Sequence, residues 1–234
     1  MAMIFTVAPA LRPMPLSGTL PSSNFSHGQA RILREHTLAD TLRSPKWYIL
    51  WLMLALNVMA GAAVISVAVP LAQSLTEVTT DRASLAVIVM GVGNVAGRLF
   101  WGWMSDRIGR PLTFICLFAL QFFAFHSLAT CTDFATFLQL SALVASCFGA
   151  GFAVMPVLVI EYFGKRHSAT IFGCMFTAWS AGAIAGSATI TFVDYRESLW
   201  TISSIMLGSI ILPTYLLALQ RISNAPLRRI EAKQ

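Results

Sequence analysis

Charge is what this sequence has least of. Asp, Glu, Lys and Arg make up 11% of its 234 residues and 56% are hydrophobic, whereas a soluble domain carries about 25% charged residues. A globular fold solvated by water is excluded on that ground, and the positive mean hydropathy agrees. Cysteine is sparse too. Cys116, Cys131, Cys147 and Cys174 show no paired spacing and at least three fall inside apolar runs, so they read as small hydrophobes rather than disulfide partners or metal ligands. The sequence has no nucleophile and base pair, no Gly-rich phosphate loop and no metal-ligand spacing, which leaves an enzyme without residues to stand on and calls for no cofactor. Nor is there a secretory leader pattern. Met1 to Ala10 is a short apolar run with no basic residue ahead of it, compatible with the stub of a preceding helix.

Long apolar stretches are what the chain has in abundance. They run from about Trp47 to Ala72, Ala83 to Met104, Leu112 to Thr130, Phe134 to Ile160, Ala169 to Val193 and Leu199 to Leu219, each long enough to cross the hydrocarbon core. The expected fold class is therefore an all-α membrane protein with six transmembrane helices.

The basic residues sort by loop. With the N-terminus placed in the cytoplasm, inside segments carry Arg12, Arg31, Arg34, Arg43 and Lys46, then Arg107 and Arg110, then Lys165 and Arg166, then Arg221, Arg228, Arg229 and Lys233. Outside loops carry only Arg82 and Arg196. This asymmetry explains the net charge of +6 by topology rather than by nucleic-acid binding, and it puts both termini in the cytoplasm of a cell bounded by a plasma or inner membrane.

The expected organisation is a cytoplasmic linker over residues 1–45, a six-helix bundle over 46–221 and a basic cytoplasmic tail over 222–234. Pro13, Pro15, Gly18 and Pro21 interrupt the linker, and Arg31 to Leu42 is either a short helix or disordered. Inside the bundle, small residues recur at intervals of four at Gly93 and Gly97 and at Ala178, Gly182 and Gly186. Such spacing lets backbones approach, so the second and fifth helices should be packed. Pro156 should interrupt the fourth helix and Pro213 the sixth.

One charge stands inside an apolar span. Arg98 lies eight residues before Asp106, about 12 Å along a helix, which places it near mid-membrane where half the hydrocarbon core is about 15 Å. A cation at that depth faces a cavity and a counter-ion. No acidic residue of the chain is placed at the same depth. Asn94 lies one turn above Arg98 and Trp101 one turn below, at helical spacing on one face. The planar fork of Arg98 suits a carboxylate; the other reading is a tie to a carboxylate beyond this chain.

Below Arg98 runs Gly102-Trp-Met-Ser-Asp106-Arg107-Ile-Gly109-Arg110-Pro111. Gly102 suits a close helix contact, Gly109 a tight turn, and Asp106 a pairing with Arg110 or with the positive end of a helix. Glu161, near the inner end of the fourth helix, either pairs with Arg107 or Arg110 to lock a gate or stays solvated at headgroup level. His126, near the outer end of the third helix, reads as an interfacial or hydrogen-bonded histidine rather than a proton relay.

This stretch resembles the signature hairpin of the major facilitator superfamily, G-x-x-x-D-R-x-G-R followed by a base, with Pro111 in the last position. The superfamily places that hairpin between the second and third helices of each six-helix half, so the chain resembles a C-terminal half, helices seven to twelve of twelve. Ser44-Pro-Lys-Trp47-Tyr-Ile-Leu-Trp51, Gly97-Arg98-Leu-Phe-Trp101-Gly102 and Phe152-Ala-Val-Met-Pro156 with Glu161-Tyr-Phe-Gly164 are similar to the oxalate/formate antiporter family and its monocarboxylate-transporter relatives.

The resemblance implies secondary transport by alternating access, with Arg98 in the position of an arginine that binds the substrate carboxylate. Dicarboxylate members carry a second cation in the eleventh helix. The matching segment here, Ile171 to Gly186, has no Lys or Arg, which favours a monocarboxylate, with Thr177, Trp179 and Ser180 lining the cavity; packing between helices is the other reading of Trp179. The expected partners are a small organic anion, the lipid bilayer and an N-terminal six-helix half or a second copy, with no nucleic acid. The competing readings are a truncated remnant that does not transport and a transporter of a non-carboxylate solute.

Overall fold

A computed structural model describes residues 35–231, with side chains as far as Arg221. Residues 1–34, which hold most of the expected linker and the apolar Met1–Ala10 run, lie outside the described residues, as do residues 232–234. Six helices of the described chain are long and apolar enough to cross a membrane, and no strand occurs among the described residues.

The first span is α2 (Pro45–Ser66), which α3 (Ala68–Thr76) follows. Pro45 starts it in the first turn, where its missing N–H costs nothing. The break at Val67, with φ −128° and ψ 26°, follows from Pro70, which has no N–H to give the Ser66 carbonyl and whose ring crowds it. Ahead of this span, α1 (Leu38–Leu42) is a single turn, which resolves the alternative of helix or disorder over its residues. Thr37 and Asp40 close it with a reciprocal capping box, and the hydrogen bonds from Thr37 hold the exposed Asp40 carboxyl below its ordinary range.

The second span combines α4 (Thr80–Ala83) and α5 (Leu85–Ile108), and α6 (Arg110–Thr130) follows after one residue. Gly102 to Arg107 are thus the last turns of α5, and the turn itself is Gly109 at φ 88°, a backbone region that L side chains rarely enter. The third span is α6. The fourth, α7 (Phe134–Phe163), is a single helix, so Pro156 does not interrupt it as expected. The packing of α7 on α5, α6 and α2 holds it on both sides of the proline. Asp133 caps its start, and the backbone and hydroxyl of Thr136, bonding to it at 2.8 and 2.9 Å, keep its carboxyl below the ordinary range. That cap is charged at neutral pH and is lost as the pH falls through the lowered value.

The fifth span is α8 (Ser168–Phe192), and the sixth combines α9 (Tyr195–Ser209) and α10 (Ile211–Glu231). The division at Ile210 has the expected cause, since Pro213 cannot donate to the Ser209 carbonyl. The backbone of α10 continues to Glu231, through much of the expected basic tail.

The dominant helix pairs are α5 on α7, α2 on α8 and α6 on α9. The first two are glycine seams. A Cβ at Gly97 would strike the Ser146 carbonyl of α7, and one at Gly182 or Gly186 would strike the Ala55 or Met59 carbonyl of α2. Even so, the spans containing α5 and α8 are only 22% and 28% buried, against 61% and 56% for those of α2 and α7. Each has one packed face and one open face.

Candidate functional site

Asn94 is the middle residue of the span Thr80–Ile108, and Arg98 follows it by one turn, about 6 Å along the axis. Gly97, buried against Ser146, turns the packed face of α5 toward α7 and leaves Arg98 exposed beside it. The Nε of Arg98 donates to Asn94 Oδ1 at 3.1 Å, and Asn94 Nδ2 donates in turn to the Ala145 carbonyl of α7 at 3.5 Å. The guanidinium lies 4.9 Å from the centre of the Phe152 ring. It is therefore oriented at its Nε edge and backed on one face. Among the described residues no carboxylate pairs with it and no hydrogen bond engages its two terminal nitrogens.

Phe152 extends the site across the helices. Its ring meets Trp179 of α8 edge to face at 6.2 Å, and Trp179 is 41% exposed. Two residues before Trp179, Thr177 accepts a hydrogen bond from Trp51 Nε1 of α2 at 2.9 Å and gives its own proton to the Cys174 carbonyl. Ser180 is exposed on the same helix. Arg98 of α5, Phe152 of α7 and Trp179 of α8 thus form one contact series, and Trp51 of α2 is bonded to Thr177 on the same helix as Trp179.

Trp101 behaves differently from its expected role. It is 6% exposed and its indole N–H donates to Ser146 Oγ at 3.1 Å, so its polar end is committed to the seam between α5 and α7. It packs helices together and does not present itself beside Arg98.

At the hairpin end, Arg110 holds two carboxylates, Asp106 at 2.7 Å and Glu161 at 3.1 Å. Arg107 instead lies over the Trp103 ring at 4.0 Å. Gly109 takes the turn, but Gly102 is not a close helix contact: a Cβ there would meet only Ala153 Cβ at 3.7 Å, ordinary van der Waals separation. His126 is exposed between Phe122 and Trp200, at 5.8 and 4.6 Å, on the face shared by α6 and α9.

Sequence reasoning missed Phe152 and Trp51. The spacing of aromatics along α7 and α2 fixes a face of each helix, yet which ring lies under Arg98 depends on the register between helices. The only signal in the sequence was a lone intramembrane cation, which is better tolerated against an aromatic face than against lipid.

Chemically, a fixed guanidinium with a backed face and free terminal nitrogens can receive one planar anion end-on. The model of the Major Facilitator Superfamily matches residues 50–233. The chain is 30% identical over 172 residues to the uncharacterized MFS-type transporter YhjX of Escherichia coli (strain K12), covering 70% of this chain and 41% of that protein. It is 26% identical over 156 residues to the oxalate:formate antiporter of Oxalobacter formigenes, covering 65% and 37%. A third relative, the inner membrane metabolite transport protein YgcS of Escherichia coli (strain K12), is 28% identical over 131 residues, covering 56% and 29%. The chain thus spans less than half the length of these curated relatives.

Proposed function

The chain belongs to the Major Facilitator Superfamily and is an integral membrane protein, and from that premise we propose that it supplies the C-terminal six-helix half of a secondary transporter for a small monocarboxylate. The observation that carries this reading is Arg98, a mid-span cation that is exposed, aromatic-backed and without a carboxylate partner among the described residues. An intramembrane charge of this kind is held for a ligand that completes it.

One relative is by name an oxalate:formate antiporter, which supports a carboxylate. The charge count narrows the class. Trp179 of α8 reaches Arg98's side through the Phe152 ring, Thr177 and Ser180 are read as further lining from the same helix, and Ser168–Phe192 contains no Lys or Arg. A single cation balances a single carboxylate and leaves the second charge of a dianion unpaired in a medium of low dielectric. Aromatic surfaces of Phe152 and Trp179 then receive the uncharged remainder of the ligand.

Transport follows from geometry that a half can only share. Sites of such carriers lie at the interface of two repeats, and rocking of one against the other exposes the site to each side in turn. The open faces of α5 and α8 supply one wall. An N-terminal half, or a second copy, supplies the other. Both termini lie in the cytoplasm by the distribution of Lys and Arg. The hairpin pair of Arg110 with Asp106 and Glu161 then sits at the cytoplasmic end, where it restrains the gate.

The test is exchange of labelled formate or lactate in vesicles containing the full-length protein. Saturable exchange that unlabelled monocarboxylates inhibit supports the reading. Exchange of neutral or cationic solutes only, with no carboxylate effect, overturns it.

A further inference from the structure

Two buried amides lie one layer behind the anion site and belong to none of the features above. Asn57 of α2 and Gln121 of α6 are both fully buried. Gln121 Nε2 donates to Asn57 Oδ1 at 3.2 Å, and Asn57 Nδ2 reaches the Phe148 carbonyl of α7 at 3.4 Å. The acceptor on α7 fixes which way Asn57 points: its NH2 must face Phe148, so its oxygen must face the NH2 of Gln121.

The same face of α2 grips Phe148 a second time. A Cβ at Gly61, one turn from Asn57, would strike the Phe148 ring, and one at Gly151 would come within 2.5 Å of Asn57 Nδ2. Phe148 is thus held by its carbonyl and by its ring. Its ring meets Phe152 edge to face at 5.5 Å, and Phe152 is the ring beneath Arg98 and beside Trp179.

We infer that Asn57, oriented by Gln121, is a positioning residue for the anion site, acting through Phe148 to set the place of Phe152 under the Arg98 guanidinium. The inference rests on reading Arg98 as the anion-binding residue. Its support is the contact series from α6 to α5 and the state of Gln121, whose Oε1 is buried without a hydrogen-bond partner among the described residues. A buried unpaired acceptor is destabilising. A pair that carries such a defect is better explained by the geometry it imposes than by the stability it contributes.

The experiment uses the full-length protein in detergent and in vesicles, with four variants: Asn57→Leu, Gln121→Met, Phe152→Leu and the Asn57→Leu/Phe152→Leu double. Formate binding, formate exchange and the thermal midpoint are measured on each. Asn57→Leu should weaken formate binding by about 2- to 30-fold, bounded by the strength of the cation–aromatic contact that it displaces. Gln121→Met removes one unpaired acceptor and leaves another, Asn57 Oδ1, so it should weaken binding in the same direction with a nearly unchanged thermal midpoint. The double variant should bind no more weakly than Phe152→Leu alone, because both act through one ring. Additive losses overturn the inference, as does a lowered midpoint with unchanged binding in Asn57→Leu.

A fluorine label on Trp179 separates this inference from the reading on which it rests. With 5-fluorotryptophan incorporated and the Trp179 signal assigned by Trp179→Phe, Asn57→Leu should move that signal in the absence of any anion. It should fail to do so once Phe152 is already Leu. An unmoved signal overturns the positioning role. A moved signal in a protein that binds no carboxylate leaves the positioning in place and removes only the anion assignment.

Discussion

The guanidinium of Arg98 and the ring of Phe152 face one another at 4.9 Å across α5 and α7. The contact is possible because those helices are drawn together by glycine: a Cβ at Gly97 would meet the Ser146 carbonyl, and a Cβ at Gly149 would meet the Asn94 carbonyl and come within 3.2 Å of Arg98 Cγ. Small residues in the seam thus determine how a cation on one helix meets an aromatic face on the other. Packing and binding share the same few residues.

The two glycines of α5 give a paired prediction. Gly97→Val forces a branched side chain into the Ser146 backbone and should destabilise the bundle by about 1–3 kcal/mol, the range of overpacked interiors. Gly102→Ala, with only Ala153 at 3.7 Å, should leave stability within about 0.5 kcal/mol. Thermal unfolding in detergent measures both. A costly Gly102→Ala would place a tight contact where the structure has none.

The hairpin pair predicts a split between stability and rate. Asp106 is 69% exposed and Glu161 36%, and ion pairs so exposed contribute at most about 1 kcal/mol. Asp106→Asn should therefore barely move the unfolding midpoint, while exchange slows more than affinity falls because Arg110 keeps one carboxylate instead of two. Exchange at the wild-type rate would reduce the hairpin to a topological loop.

Orientation is checked by labelling. Thr79 precedes α4 and Ser168 opens α8, at opposite ends of the spans. With the native cysteines Cys116, Cys131, Cys147 and Cys174 replaced, Thr79→Cys should react with an impermeant maleimide from outside only, and Ser168→Cys from inside only. The opposite pattern would reverse the topology.

Much of this architecture was legible in the sequence for a physical reason. Apolar length and the sorting of Lys and Arg are one-dimensional signals that the bilayer enforces on any helix, so the spans and the turn at Gly109 could be read directly. The depth of Arg98 followed from counting residues. Relations between helices could not be read so. Trp101 shares the helical stripe of Arg98, yet its N–H turns to Ser146. Phe152 gave no sign of lying under Arg98, and Asn57 and Gln121 gave none of meeting, because each pairing depends on a crossing set by glycines elsewhere. Pro70 ended the first span at Val67, where hydropathy alone ran on without a mark, while Pro156 left α7 whole because its neighbours pack along it.

The need for a second wall predicts that residues 1–234 expressed alone insert into membranes but do not exchange carboxylate. Co-expression with a matching N-terminal six-helix half should restore exchange. Exchange by the lone chain, with crosslinking showing no paired copies, would contradict the two-wall arrangement.

The most direct test of the central claim is the affinity of the full-length protein for formate and lactate with Arg98 replaced. Arg98 is exposed and, among the described residues, makes one side-chain hydrogen bond, to Asn94 at 3.1 Å, so Arg98→Gln should fold with a near wild-type midpoint. Losing charge-assisted hydrogen bonds to a carboxylate should weaken binding by about 10- to 100-fold. Arg98→Lys should recover only part of it, since an ammonium keeps the charge without the two-pronged grip. Wild-type affinity for every carboxylate in Arg98→Gln would contradict the account, and so would misfolding of Arg98→Gln that is rescued by neutralising a carboxylate in the other half.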